Sequence, residues 1–104
     1  MMAKAFDTSC PVSEFIPTSA IPDPHAVNIR CSVNDVERQN GQTGDMIFSV
    51  PYLVSYISKY FTLEEGDVIL TGTPAGVGPV KDGDVIKGEI PGLAQFSFDV
   101  VQRK

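Results

Sequence analysis

Tryptophan is absent, histidine occurs once at His25, and the two cysteines, Cys10 and Cys31, show no spacing that a thiolate metal site would need. With only two such residues in an acidic chain of cytosolic type, a disulfide framework is not expected. Cys10 beside Pro11 has no His neighbour, so it reads as a buried thiol rather than a nucleophile. Positive charge is also scarce, with eight Lys and Arg against thirteen Asp and Glu, a net charge of −5 and no basic cluster. Nucleic acid is therefore not an expected partner, because its binding rests on phosphate neutralisation. No apolar run approaches the ~20 residues of a membrane span, the longest being interrupted by Lys59 or Gly66. The start, Met1-Met2-Ala3-Lys4, has no apolar h-region and does not read as a secretory signal.

Apolar residues make up 42% and charged residues 20% of the 104, the balance of a globular protein rather than a disordered one. That length supports one small domain over 1–104, and the size scaling has it bury somewhat over ~60% of its unfolded surface. Six Phe and three Tyr supply core volume.

From Phe6 to Pro24 the chain is rich in Pro, Ser and Thr and reads as extended segments and turns. Val27 to Val33 alternates apolar and polar residues, which predicts a half-buried strand. Asn34-Asp35, both tolerant of positive φ, predicts a two-residue turn into a return strand over Val36–Gln39. Between Ser49 and Tyr60 the period becomes helical: Val50, Leu53, Val54 and Ile57 form a stripe, Ser49 is placed to cap and Pro51 sits in the first turn. The stripe is expected to face a sheet. A strand is expected over Val68–Leu70, another over Val85–Ile90 after the Asp82-Gly83-Asp84 turn, and a last one after Pro91-Gly92 with Phe96, Phe98 and Val100 on one face. The fold class predicted is mainly β with one α-helix.

The stretch that invites a ligand is Thr71 to Val80, where seven of ten residues are Gly, Thr or Pro. Glycine lets backbone N–H groups approach another molecule, proline fixes the path, and Thr71 and Thr73 add hydroxyl donors. Neither the P-loop nor the dinucleotide pattern is satisfied, because Pro79 and Val80 stand where those motifs need other residues. A plain strand-to-loop turn is the alternative. His25, between Pro24 and Ala26, reads as an exposed turn residue. Asp82-Gly83-Asp84 lacks the later glycine and glutamate of an EF-hand and reads as a turn. Glu64, Glu65 and Asp67 read as solvated charges that discourage edge pairing.

Four segments in order carry a resemblance: Lys4-Ala5-Phe6-Asp7-Thr8-Ser9-Cys10-Pro11-Val12, Gln42-Thr43-Gly44-Asp45-Met46-Ile47-Phe48, Phe61 to Val68, and Ile69 to Val80. Together they resemble the fumarylacetoacetate hydrolase superfamily, most closely its acylpyruvase and oxaloacetate decarboxylase branch, over nearly all 104 residues and within that family's C-terminal half. The resemblance implies the C-terminal part of a mixed β-sandwich or roll, and a metal-dependent hydrolase or decarboxylase of 2,4-diketo or 2-oxo dicarboxylic acids. It implies Mg²⁺ or Mn²⁺ as cofactor, a small keto-acid as substrate, a homodimer, and a cytoplasmic or mitochondrial rather than secreted protein. Lys4, by position a solvated tail group, would by this likeness orient the substrate and stabilise enolate charge beside the ion. Thr8 would lend the metal an oxygen directly or through water, the alternative being a turn threonine bonded to its own backbone. Gly72 and Thr73 would bind substrate oxygens. The Glu-x-Glu pair and distant Asp that hold the metal in similar enzymes have no counterpart in this sequence, so weak or absent metal binding is expected of the chain alone. The alternative function is an inactive β-rich structural or partner-binding module.

Overall fold

The computed structural model describes residues 5–103. Among these residues four strands, β1 (Asn28–Val33), β2 (Val36–Gln42), β3 (Val85–Ile90) and β4 (Ala94–Asp99), form one antiparallel sheet in the order β2-β1-β3-β4, and a single α-helix, α1 (Val50–Ser58), lies in the connection between β2 and β3. The mainly β chain with one helix is the architecture expected from the residue pattern. β1 and β2 meet through Asn34 (φ 52°) and Asp35 (φ 64°), two residues whose short polar side chains tolerate the left-handed backbone that a tight hairpin needs.

Register sorts the two faces of the sheet. Val33 lies beside Ile86 and then Phe98, and Cys31 beside Gly88 and then Phe96, so the apolar residues share one face. Ser32, Lys87 and Ser97 share the other, where Lys87 pairs with Asp35 at 2.8 Å and Arg30 with Glu89 at 3.8 Å. These exposed pairs add little to stability. On the apolar face the Phe96 ring lies over Gly88, where a Cβ would stand 2.3 Å from the ring tip, and Phe96 meets Phe98 in a tilted arrangement with centroids 5.1 Å apart.

That face is largely uncovered. Among the described residues only Val33 and Gly88 are buried, and Phe96 and Phe98 remain exposed. The accessible surface of 8572 Å² for 11.2 kDa exceeds the about 5,700 Å² that size scaling gives for a compact monomer. The radius of gyration is 15.0 Å, against about 13 Å for a compact chain of this length. A sandwich needs a second layer on this face, and the described residues hold one sheet.

The helix begins where Ser49 accepts a hydrogen bond from the Tyr52 N–H at 3.1 Å, with proline in its first turn. A second cap comes from His25, whose Nε2 accepts from the Val50 N–H at 3.2 Å. His25 is thus half-buried and employed, not an exposed turn residue, because the chain folds its loop back onto the helix N-terminus. The stripe of α1 is not buried against the sheet: Val50, Leu53 and Ile57 are half-buried, Val54 is exposed, and close packing between elements is confined to the strand pairs. Alongside, Phe48, Tyr52, Tyr56 and Tyr60 form a ladder with ring centroids 5.0, 6.2 and 5.5 Å apart.

Other expectations need correction. Val68–Leu70 forms no strand. β2 runs on to Gln42, past the expected Gln39, and Val100 lies beyond β4. Cys10 is exposed rather than buried, since the Pro- and Ser-rich segment around it packs on little, and Cys31 is half-buried; both are free. The turn before β3 is as expected and is held by Asp84. Its carboxylate accepts from the Lys81 N–H at 2.9 Å and from the Asn34 side chain at 2.8 Å, while Asn34 accepts from the Val85 N–H.

Candidate functional site

The Gly-rich loop is seated on β2. Opposite the step from Cys31 to Ser32 the register shifts, leaving Arg38 as the extra residue of a β-bulge. From this bulge the Arg38 guanidinium donates to the Pro79 carbonyl. The next residue, Gln39, donates from Nε2 to the Thr73 hydroxyl oxygen and to the Pro74 carbonyl, both at 2.8 Å. Gly41 lets Pro74 approach until a Cβ would stand 2.8 Å from its ring, and Gly76 (φ 104°) lies so close that a Cβ would fall 1.9 Å from the Arg38 carbonyl oxygen. Because Gln39 and Gly41 face the same side as Cys31 and Ile29, the loop covers the β2 end of the apolar face and leaves the Phe96 end open.

A cavity of 440 Å³ opens beside this seat. Thr71, Gly72, Thr73 and Pro74 form one wall, and Gln42, Thr43 and Asp45 add polar groups from the end of β2. Ile29, Met46, Phe48 and Leu53 supply the apolar remainder. Thr43 is itself fixed, its hydroxyl accepting from the Val27 N–H at 3.0 Å. An apolar hollow edged by hydroxyl, amide and carboxylate side chains has the make-up of a small-molecule pocket.

The structure brings Thr71, Gly72 and Thr73 together at this cavity, and Thr8 is not among its lining residues. Thr8 sits in a turn at φ 66°, its hydroxyl donating to the Asp7 carbonyl at 2.6 Å, as the turn alternative has it. That segment is tethered from the far end of the chain by Arg103, which lies 5.5 Å over the Phe6 ring and donates to the Asp7 carbonyl at 3.4 Å. Lys4 lies outside the described residues. Sequence reasoning missed Arg38, Gln39 and Gly41. The available signal was the polar run Glu37 to Gln42 inside a strand, which places amide and guanidinium groups on an edge that ordinary strands fill with apolar residues.

Residues 1–101 match the family model described as fumarylacetoacetate (FAA) hydrolase C-terminal. The chain belongs to the fumarylacetoacetate hydrolase family. It is 57% identical over 99 residues to the human oxaloacetate tautomerase FAHD1, mitochondrial, covering 95% of this chain and 45% of that protein. It is 53% identical over 104 residues to the mitochondrial oxaloacetate decarboxylase of Dictyostelium discoideum, covering 99% of this chain and 48% of that one. The chain thus spans about half the length of the curated relatives it matches. Among solved structures it superposes on maleylpyruvate hydrolase from Sphingobium sp. SYK-6 in complex with manganese(II) and pyruvate. That match has a TM-score of 0.91 and 42% identity, over 96% of this chain and 38% of the other.

Divalent metal therefore occurs in the fumarylacetoacetate hydrolase family. The residues described here do not fit such a centre by themselves: among them no three His, Cys, Asp or Glu side chains converge. A hard cation takes about six oxygen ligands, and Thr8 offers one. No helix among the described residues is long and apolar enough to cross a membrane.

Proposed function

We propose that this chain is the substrate-binding half of a metal-dependent enzyme acting on 2,4-diketo or 2-oxo dicarboxylic acids, with acylpyruvate hydrolysis and oxaloacetate decarboxylation as the candidate reactions. The observation that carries the reading is the Thr71–Pro74 wall, held against β2 beside a cavity that threonine and apolar side chains line together. Oxaloacetate tautomerisation, the activity in the name of the human relative, fits the same chemistry. Loss of CO₂ or of a C3 proton from this keto-acid leaves an enolate oxygen next to a carboxylate. Preorganised donors stabilise that charge as it forms.

The roles follow from position. The Thr73 hydroxyl and the backbone N–H groups at Gly72 and Thr73 hold the carboxylate or enolate oxygens, while Ile29, Phe48 and Leu53 exclude water from the carbon chain. For Lys4, outside the described residues, the family resemblance alone suggests a positive charge that serves the same oxygens. A divalent ion, Mg²⁺ or Mn²⁺, supplies Lewis-acid polarisation of the keto oxygen when bound. Its carboxylate ligands come from outside the described residues, so this chain alone binds it weakly or not at all. The uncovered apolar face suits association in a homo-oligomer, a dimer in the simplest case. The mitochondrial names of the relatives favour that compartment over the cytoplasm.

A second reading, a catalytically inactive partner-binding module, draws on the same open face and on the lack of a carboxylate cluster among the described residues. Titrating pyruvate and oxalate into the ¹⁵N-labelled chain separates the two. Shifts centred on Gly72 and Thr73 are expected from a substrate-binding half; their absence at tens of millimolar ligand sinks that reading and leaves the module. Turnover of acetylpyruvate or oxaloacetate by the chain alone with Mn²⁺ would refute the claim that it is only half of a site.

A further inference from the structure

We propose that Gln39 is a positioning residue of this site: its side-chain amide orients the Thr73 hydroxyl as a hydrogen-bond donor toward the cavity, so that the loop selects an anionic acceptor such as a carboxylate or enolate oxygen. The inference rests on the substrate-binding reading above and goes beyond it, because Gln39 lines no part of the cavity.

A primary amide nitrogen has two hydrogens, and Gln39 places both: one on the Thr73 Oγ1 and one on the Pro74 carbonyl, each at 2.8 Å. The Pro74 oxygen can only accept, which fixes the amide with nitrogen toward the loop. Thr73 then receives a hydrogen bond at its oxygen. Its own hydrogen cannot lie along that contact and is free to donate elsewhere, and Thr73 lines the cavity. A donor so oriented gains most from a charged acceptor. With glutamate in place of Gln39 the hydroxyl would instead turn inward to donate to the carboxylate.

The geometry supporting Gln39 is built rather than incidental. The bulge at Arg38 re-aims the strand just before Gln39. Arg38 ties down the far end of the loop at Pro79, and Gly41 and Gly76 remove the side-chain bulk that would hold the loop away. Gln39 is half-buried under this loop, which restricts its rotamers and keeps the amide in place.

The test is a double-mutant cycle on the ¹⁵N-labelled chain, with pyruvate and oxalate as the ligands and the Gly72 and Thr73 amides as reporters. Thr73→Val removes the hydroxyl, and Gln39→Met keeps length and neutrality while removing both donors. Each single change is expected to weaken binding about tenfold or more, the scale of one hydrogen bond to a charged group. The double variant should bind no more weakly than Thr73→Val, and Gln39→Glu should lose affinity at least as strongly as Gln39→Met. Additive losses, or a Gln39→Met variant that binds like the parent, overturn the positioning role alone. A parent chain that binds neither ligand overturns the site reading and this inference with it. Unchanged spectra outside 38–41 and 71–80 confirm that each variant keeps its sheet, and Gln39→Leu stands in if the methionine variant does not.

Discussion

Replacing Gly76 with alanine tests the seat of the loop directly. At φ 104° the residue lies where a side chain is strained, and the added Cβ would meet the Arg38 carbonyl oxygen at 1.9 Å and Gln39 Cγ at 3.1 Å. The Arg38 carbonyl is held by the paired residues on either side of the bulge, Glu37 and Gln39, so the loop must lift. Lifting breaks the two hydrogen bonds of Gln39 and the one from Arg38 to Pro79. At about 1 kcal/mol net for each, the change costs about 3 kcal/mol. Gly72→Ala is the matched control: its φ of 97° carries strain, but nothing lies within 4 Å of the new Cβ, so about 1–2 kcal/mol is expected. Urea unfolding gives the total cost, and ¹⁵N spectra with amide hydrogen exchange show where it falls. Gly76→Ala should shift and deprotect residues 73–79 while the β1–β3 pairing persists. If its midpoint moves no further than that of Gly72→Ala, and the Thr73 amide keeps its shift, the loop is not seated as described.

Two further outcomes are expected. Ser49→Ala removes the side-chain cap on the Tyr52 N–H and should lower stability by about 1 kcal/mol with loss of helical circular dichroism; an unchanged signal would mean that His25 alone suffices as the cap. The Asp84 carboxyl is held below its ordinary value of 3.8, chiefly by the Lys81 N–H and then by the Asn34 amide, with Arg38 and Lys81 charges adding to a shift that desolvation opposes. A carboxyl lowered in the folded state stabilises above its unfolded value, and that contribution disappears as pH falls through the folded one. The parent should therefore lose stability below about pH 4 more steeply than Asp84→Asn, the two converging in acid. A difference that stays constant from about pH 6 to pH 3 would refute this.

Local chemistry was legible residue by residue. Asn34-Asp35 announced a tight turn because few side chains accept positive φ, and Ser49 with Pro51 announced a helix start because both solve the problem of unpaired N–H groups. The alternation that put Phe96 and Phe98 on one face of β4 matches their shared side of the sheet. Val68–Leu70 misled, since an apolar triplet before a glycine loop looks like a strand whether or not a partner lies beside it. Cys10 misled in the same way: burial depends on what packs above a residue, and here the described chain packs little there.

The sequence by itself determined the turns, the helix, the family and the Gly-, Thr- and Pro-rich make-up of the loop from Thr71 to Val80, because propensity, capping and motif identity act over a few neighbouring residues. Only the tertiary structure decided what that loop rests on. The tether from Arg38 to Pro79, the two-hydrogen grip of Gln39 and the close approaches at Gly41 and Gly76 join residues more than thirty positions apart, and no local propensity specifies them. The same holds for the open apolar face: each strand carries its own apolar side, but whether anything covers it depends on the layers that stack there.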